Sequence, residues 1–237
     1  MKRFWDRAEV VALDGRYAIR LDGRPMRLPG RAVLALESRA LADAIAEEWQ
    51  AAGGGKGGIL QAEELPLTRL AGTAQERVVP NPGLTIEALL KYGATDLLCY
   101  EAEGPEGLVA LQAERWEPWL AWVARVHGAR LIRVRGVMPV DQPDEAIAAL
   151  RMALTSLPAA ALAGLGVLVP ATGSLVLGLA VAGGALGADE AHALAALDEL
   201  YQAEKWGEDR EAVTRRRHVA EDIAVAARFM ALSGLPG

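Results

Sequence analysis

The chain holds a single cysteine, Cys99, among 237 residues. This excludes an internal disulfide and suits a reducing compartment. Cys99 lies in the apolar run Leu97-Leu98-Cys99-Tyr100, where burial is expected rather than reactivity. Histidine is scarce as well. His127, His192 and His218 are far apart, and none has a His, Cys or carboxylate at metal-ligand spacing, so no metal site is expected. Ser174 is not in a G-x-S-x-G elbow, and no Cys–His signature surrounds Cys99. Basic residues are outnumbered: the net charge is −6 and the pI about 5.2, which argues against a nucleic-acid partner. The start, Met1-Lys2-Arg3-Phe4-Trp5-Asp6, lacks the apolar stretch of a secretory signal. Met152 to Ala188 is free of charge, but Pro158, Pro170 and several glycines interrupt it. A span needs about 20 apolar residues in a row. Composition leaves both a membrane span and buried core helices open here, and the interruptions favour the core helices.

Hydrophobic residues make up 52% of the chain, enough to expect a packed core. The first third reads as β. Val10–Leu13, Arg16–Leu21 and Arg24–Leu28 are separated by Asp14-Gly15 and Asp22-Gly23. Asp-Gly suits a tight hairpin because both turn positions need positive φ, so a three-stranded meander is predicted. Pro25 and the arginines suit an edge strand. Ser38 caps a predicted helix to Gln50, with Leu41, Ile45 and Trp49 as its buried stripe. Gly53-Gly54-Gly55-Lys56-Gly57-Gly58 formally contains G-x-G-x-x-G, but it follows a helix instead of a strand, so it reads as a linker and not as a dinucleotide loop.

Beyond the glycines the pattern is helical. Helices are predicted over Leu65–Val79 and over Thr85–Tyr92, the latter ended by Gly93. A long helix follows from Pro105 to His127, kinked or restarted at Pro118. Arg130–Val137 alternates like a strand, and Asp144–Ser156 is helical. Two short apolar helices meet at Pro170. The last two helices are Asp189–Trp206, ended by Gly207, and Glu208–Leu232. Arg215-Arg216-Arg217-His218 is expected to be a solvated face neutralised by nearby acids, with Glu211 pairing Arg215 four residues on.

One segment combines carboxylates, an amide and an indole: Leu197 to Asp209. On a helix, Leu194, Leu197 and Tyr201 form the buried stripe. Asp198, Gln202 and Lys205 lie together on another side, with Glu199 and Trp206 alongside. Three readings stand on spacing alone: a solvated helix over a core tryptophan, a protein-recognition surface, and an acid–base pair.

Several segments together carry a resemblance. They are Leu21-Asp22-Gly23-Arg24-Pro25, Ala46-Glu47-Glu48-Trp49, Leu67-Thr68-Arg69-Leu70-Ala71 and Thr95-Asp96-Leu97-Leu98-Cys99-Tyr100. Leu111-Gln112, Trp116-Glu117-Pro118, Gly173-Ser174-Leu175-Val176-Leu177 and Leu197-Asp198-Glu199 to Trp206-Gly207-Glu208 follow. In this order and spacing the chain resembles the chaperone family that assists assembly of the F(1) sector of ATP synthase, in mitochondria and related bacteria. The glycine run departs from that pattern.

The resemblance implies a non-enzymatic protein without a cofactor that holds the unassembled α subunit of F-type ATP synthase. It also implies buried core helices and no membrane insertion. An acidic position in the last segment is the one it associates with function, and Asp198 and Glu199 both match. The expected fold is α+β: a small β-rich unit with one helix, residues 1–52, then a mainly helical unit, residues 59–237. The expected partner-binding residues are Asp198, Glu199, Gln202, Trp206 and Glu208, and the expected location is the bacterial cytoplasm. The rival reading is a small-molecule enzyme working from the acidic helix face.

Overall fold

The computed structural model describes residues 2–235 and has the expected α+β class, a small sheet followed by a mainly helical remainder. Strands β1 (Ala8–Leu13), β2 (Arg16–Leu21) and β3 (Arg24–Pro25) form the predicted antiparallel meander. Both Asp-Gly turns have positive φ at each residue, 48° and 79° at Asp14-Gly15 and 47° and 76° at Asp22-Gly23. The third strand is shorter than expected, although the Met26 N–H still reaches the Ile19 carbonyl at 2.9 Å. A fourth strand, β4 (Ala35–Leu36), pairs with β2; two residues carry no alternation, so the sequence gives no sign of it. Helix α1 (Arg39–Ala51) is capped by the Ser38 hydroxyl, which accepts from the Leu41 N–H. Its stripe Leu41, Ile45 and Trp49 is buried as predicted.

The glycine run folds back onto the start of the chain. The Arg3 N–H donates to the Gly58 carbonyl and the Gly57 N–H to the Arg3 carbonyl, at 2.9 and 2.8 Å. The buried Arg3 guanidinium donates to the carbonyls of Gln50 and Ala52, placing a cation where the α1 macrodipole is negative. On the far side of the run, α2 (Pro66–Thr73) starts with proline at its first position, where the missing N–H costs nothing. Its next two backbone N–H groups donate to the Glu48 carboxylate at 2.7 and 3.0 Å. Burial pushes the Glu48 carboxyl above its ordinary range, and these bonds oppose the rise. A single buried apolar cluster includes residues from both sides of the glycine run, from Trp5 to Met230.

Helix α2 passes into a wider π turn, Ala74–Val78. Helix α3 (Pro82–Ala94) begins at Pro82, earlier than predicted, and runs through Gly93. Gly93 does not stop the helix. Its missing side chain admits Leu150 and Leu175, since a Cβ there would lie 2.7 Å from Leu150 Cδ1. Helix α4 (Glu106–His127) continues through the exposed Pro118 with no restart. Trp116 is buried on it, while Trp119 and Trp122 are half-buried and meet edge to face. The alternation of Arg130–Val137 yields only β6 (Val134–Arg135), parallel to β5 (Tyr100–Glu101). The rest is loop, held by the Gln142 amide on both backbone groups of Ile132.

Helix α5 (Asp144–Thr155) is followed by the apolar pair α6 (Ala159–Thr172) and α7 (Leu175–Ala182). Pro170 lies inside α6; the break comes at Gly173, whose φ of 70° ends the helix. Every residue of α7 is buried. Among the described residues, no helix is long and apolar enough to cross a membrane. The N-terminus of α7 is held by Asp96, which is fully buried. One Asp96 oxygen accepts from the Ser174 hydroxyl and the Leu98 N–H, at 2.7 and 3.1 Å, and the other from the Val176 N–H at 3.0 Å. Burial pushes the Asp96 carboxyl up to about 6 against these bonds. Cys99 is buried as expected, and burial, with the Asp96 charge nearby, pushes its thiol up to about 12.

The predicted Asp189–Trp206 helix is two, α8 (Ala188–Ala195) and α9 (Leu197–Trp206), joined at Ala196. After Gly207, Asp209 caps α10 (Arg210–Leu232) through the Ala212 N–H.

Candidate functional site

Helix α9 is largely open to solvent: Leu197 is its one buried residue. It is fastened on one side to α4. The fully buried Gln112 accepts from the Ala102 N–H and donates to Asp198 Oδ1, both at 2.7 Å. One turn along α4, the Trp116 indole donates to the Leu194 carbonyl of α8 at 3.1 Å. Tyr201 packs over Gly107, where a Cβ would lie 2.9 Å from its hydroxyl. The Lys205 ammonium sits over the Tyr201 ring at 5.6 Å.

On the other side α9 meets α10. Glu199 Oε2 lies 3.1 Å from Arg215 and 3.7 Å from Arg216, and Arg216 also reaches Glu208 at 3.1 Å. Arg215 therefore takes its carboxylate from α9 and not, as expected, from Glu211. The physical reason is that α8 packs along α10, which leaves Glu199, in the first turn of α9, within reach of Arg215 and Arg216. The exposed Glu199–Arg215 pair contributes little, about 0–1 kcal/mol, whereas the Arg216 side chain is largely buried.

The five expected partner-binding residues thus divide. Asp198 turns inward to Gln112, and Glu199 turns to the α10 arginines, so the two carboxylates diverge. Gln202 and Glu208 are exposed. Trp206 is 74% exposed, with Leu200 and Val213 also open to solvent. Glu204, Glu208 and Arg210, close to Trp206 in sequence, are exposed as well. The expected stripe of Leu194 and Leu197 is buried, while Tyr201 is half-buried. The sequence reading missed Gln112. A glutamine one turn before a buried tryptophan is a weak signal, because its partner Asp198 is 86 residues away.

No converging acid–base pair is built here. The cavity beside Glu199, lined by His192, Arg215 and Arg216, measures about 90 Å³, well below the roughly 300–1,000 Å³ of small-molecule pockets. Among the described residues no group of His, Cys, Asp and Glu is placed to hold a metal.

Known proteins share this fold. The family model for the ATP12 chaperone protein matches residues 2–124. The crystal structure of Atp12 from Paracoccus denitrificans superposes with a TM-score of 0.91 at 41% identity, covering 98% of each chain. An aspartate-to-lysine mutant of the same P. denitrificans protein also gives 0.91 at 41% identity, over 98% of this chain and 97% of that one. The Atu1473 protein of Agrobacterium tumefaciens gives 0.88 at 42% identity, over 97% of this chain and 84% of that one.

Proposed function

The chain belongs to the ATP12 chaperone family, and on that premise we propose that it assists ATP synthase assembly by holding the unassembled α subunit until the β subunit displaces it. An α subunit without its partner presents a large interface prone to self-association. Covering that interface requires preferential affinity for the free subunit and no catalytic step. We place this activity in the bacterial cytoplasm and assign it no cofactor. The observation that carries the reading is the α9–α10 corner, where an indole 74% exposed stands among charged residues on a helix with almost no buried face. Large exposed aromatics of this kind anchor protein interfaces. Divergence of Asp198 from Glu199 speaks against the rival enzyme reading, which needs both carboxylates at one reacting group.

The roles separate by substitution. Trp206→Ala is expected to leave the melting temperature unchanged, because the ring packs on little, and to weaken capture of the cognate α subunit by about 2 kcal/mol, roughly 30-fold in Kd. Glu199→Gln removes an exposed pair with Arg215 and a longer one with the largely buried Arg216, which keeps Glu208, so it is expected to weaken capture while stability changes by about 1 kcal/mol. Asp198→Asn turns an amide towards the Gln112 amide and is expected to cost about 1 kcal/mol of stability. Co-expression with the α subunit, size-exclusion chromatography and thermal denaturation measure all three. A wild-type chain that leaves α aggregated sinks the proposed function; a Trp206→Ala variant that captures α normally removes the corner from it.

A further inference from the structure

The N-terminal sheet carries charge opposite to the rest of the chain. Residues 2–36 contain eight Lys or Arg against four Asp or Glu, in a protein of net charge −6. Strand geometry sorts these charges. Tyr17, Ile19 and Leu21 of β2 turn towards α1, so Arg16 and Arg20 project from the opposite face. Directly paired residues share a face. Leu13 is opposite Arg16, and Arg27, between the buried Met26 and Leu28, bridges to Val33. Val11 is opposite Ala18, which shares the face of Arg16 and Arg20 but is buried beneath its neighbours, so Arg16, Arg20 and Arg27 lie around Val11, Leu13 and Val33.

All three arginines are exposed, and among the described residues none has a carboxylate within ion-pair distance. Arg27 donates to the Arg31 carbonyl at 2.7 Å. Glu9, which stands opposite Arg20, lies nearest Arg7, at 3.7 Å. Some exposed arginines elsewhere do find acids, Arg39 with Asp43, Arg151 with Glu87 and Arg215 with Glu199, and those that do not, such as Arg77, Arg125 and Arg130, lie on helices or loops instead of sharing one sheet. In an acidic chain, unpaired arginines gathered on one sheet face are a local excess. The excess is of guanidinium, the cation suited to planar two-point contact with carboxylates and less hydrated than lysine. Arginine is also enriched in protein interfaces, where lysine is depleted.

We propose that this outer face is a second docking surface, which takes an acidic stretch of the client protein; the inference rests on the client-holding reading above. Arg16, Arg20 and Arg27 pair with client carboxylates, and the valines and leucine between them exclude water from those pairs.

The test compares the wild type, a triple reversal (Arg16→Glu, Arg20→Glu, Arg27→Glu) and a control of equal charge change at other exposed arginines (Arg77→Glu, Arg125→Glu, Arg130→Glu). Binding to the cognate α subunit is measured across a salt series, and melting temperature is measured alongside. If the reversal lowers the melting temperature, the neutral Arg→Gln triple replaces it. The expected result is a rise in Kd of at least about tenfold for the outer-face triple, with a flatter salt dependence, and little change for the control. Equal binding by wild type and triple overturns the proposal, as does equal loss in both variants, which would reflect net charge alone. If the wild type does not bind α, the client reading fails by itself. The face is then measured with a peptide of alternating glutamate and leucine. Binding by the wild type that the triple loses keeps an acidic protein partner; no difference overturns it. Displacement of that peptide by duplex DNA at lower concentration also overturns it in favour of a nucleic-acid surface.

Discussion

Trp49→Ala is expected to lower stability by about 3–5 kcal/mol, a large share of the roughly 5–15 kcal/mol typical of a folded domain. The indole is buried and stacks at a tilt on Trp5, with ring centroids 5.0 Å apart. Trp5 donates from its own ring to the Trp49 carbonyl at 3.0 Å. The Trp49 ring nitrogen donates to the Thr68 hydroxyl at 3.0 Å, and that hydroxyl donates to Glu48 at 2.9 Å. Truncation therefore empties a ring-sized space and also loosens the junction of α1 with α2. Trp49→Phe keeps most of the packing and loses the single hydrogen bond, so a smaller cost near 1 kcal/mol is expected. Urea denaturation followed by circular dichroism separates the two. A Trp49→Ala midpoint equal to wild type would show that this stripe does not hold the two helices together.

Asp96→Ala is expected to destabilise with a pH dependence of its own. It leaves three buried donors unanswered, the Ser174 hydroxyl and the Leu98 and Val176 N–H groups, at about 1–3 kcal/mol each. Against this stands one relief. The folded-state pKa is raised from 3.8 to about 6, so ionised Asp96 opposes folding. That opposition is absent below the unfolded pKa, grows as pH rises from about 4 to 6, and is constant above, where it amounts to about 3 kcal/mol. The three donors outweigh it at neutral pH. Between pH 7 and pH 5 the wild type is expected to regain about 1 kcal/mol through this group, while the variant does not, so the deficit of Asp96→Ala widens on acidification. Denaturation midpoints at both pH values check this; a deficit that shrinks towards pH 5 would contradict the assignment.

These two sites show why the sequence was informative about family and fold but less so about the candidate surface. Several segments that carry the family resemblance meet in space as fasteners. Ala46-Glu47-Glu48-Trp49 closes on Leu67-Thr68-Arg69 through the Glu48 and Trp49 bonds. Thr95-Asp96-Leu97 closes on Gly173-Ser174-Leu175, with the Leu97 N–H on the Gly173 carbonyl at 3.1 Å. Leu111-Gln112 closes on Asp198. Local chemistry was legible where one short stretch decides it: the Asp-Gly turns, the Ser38 cap, the stripe of α1. It failed where distant packing decides. Gly93 continues a helix because Leu150 needs its space, Pro170 sits inside α6 because the chain turns only at Gly173, and Asp189–Trp206 divides at Ala196. The Asp198 and Glu199 carboxylates point apart because α4 and α10 flank α9, which no spacing along α9 reveals.

Helix α10 closes the interior from a great distance in sequence. The Ser38 hydroxyl that caps α1 donates to the Leu232 carbonyl, 194 positions later, and Met230 fills the space left by Gly164, where a Cβ would lie 2.5 Å from its Cγ. Synthesis runs in the opposite sense to this dependence. Until the ribosome has made α10, the uncharged helices α6 and α7 lack the helix that packs against them. A nascent chain paused at that stage displays a broad greasy surface, and general folding factors have time to engage it. A member of an assembly-chaperone family thus passes through a stage of its own biogenesis at which its apolar helices are uncovered.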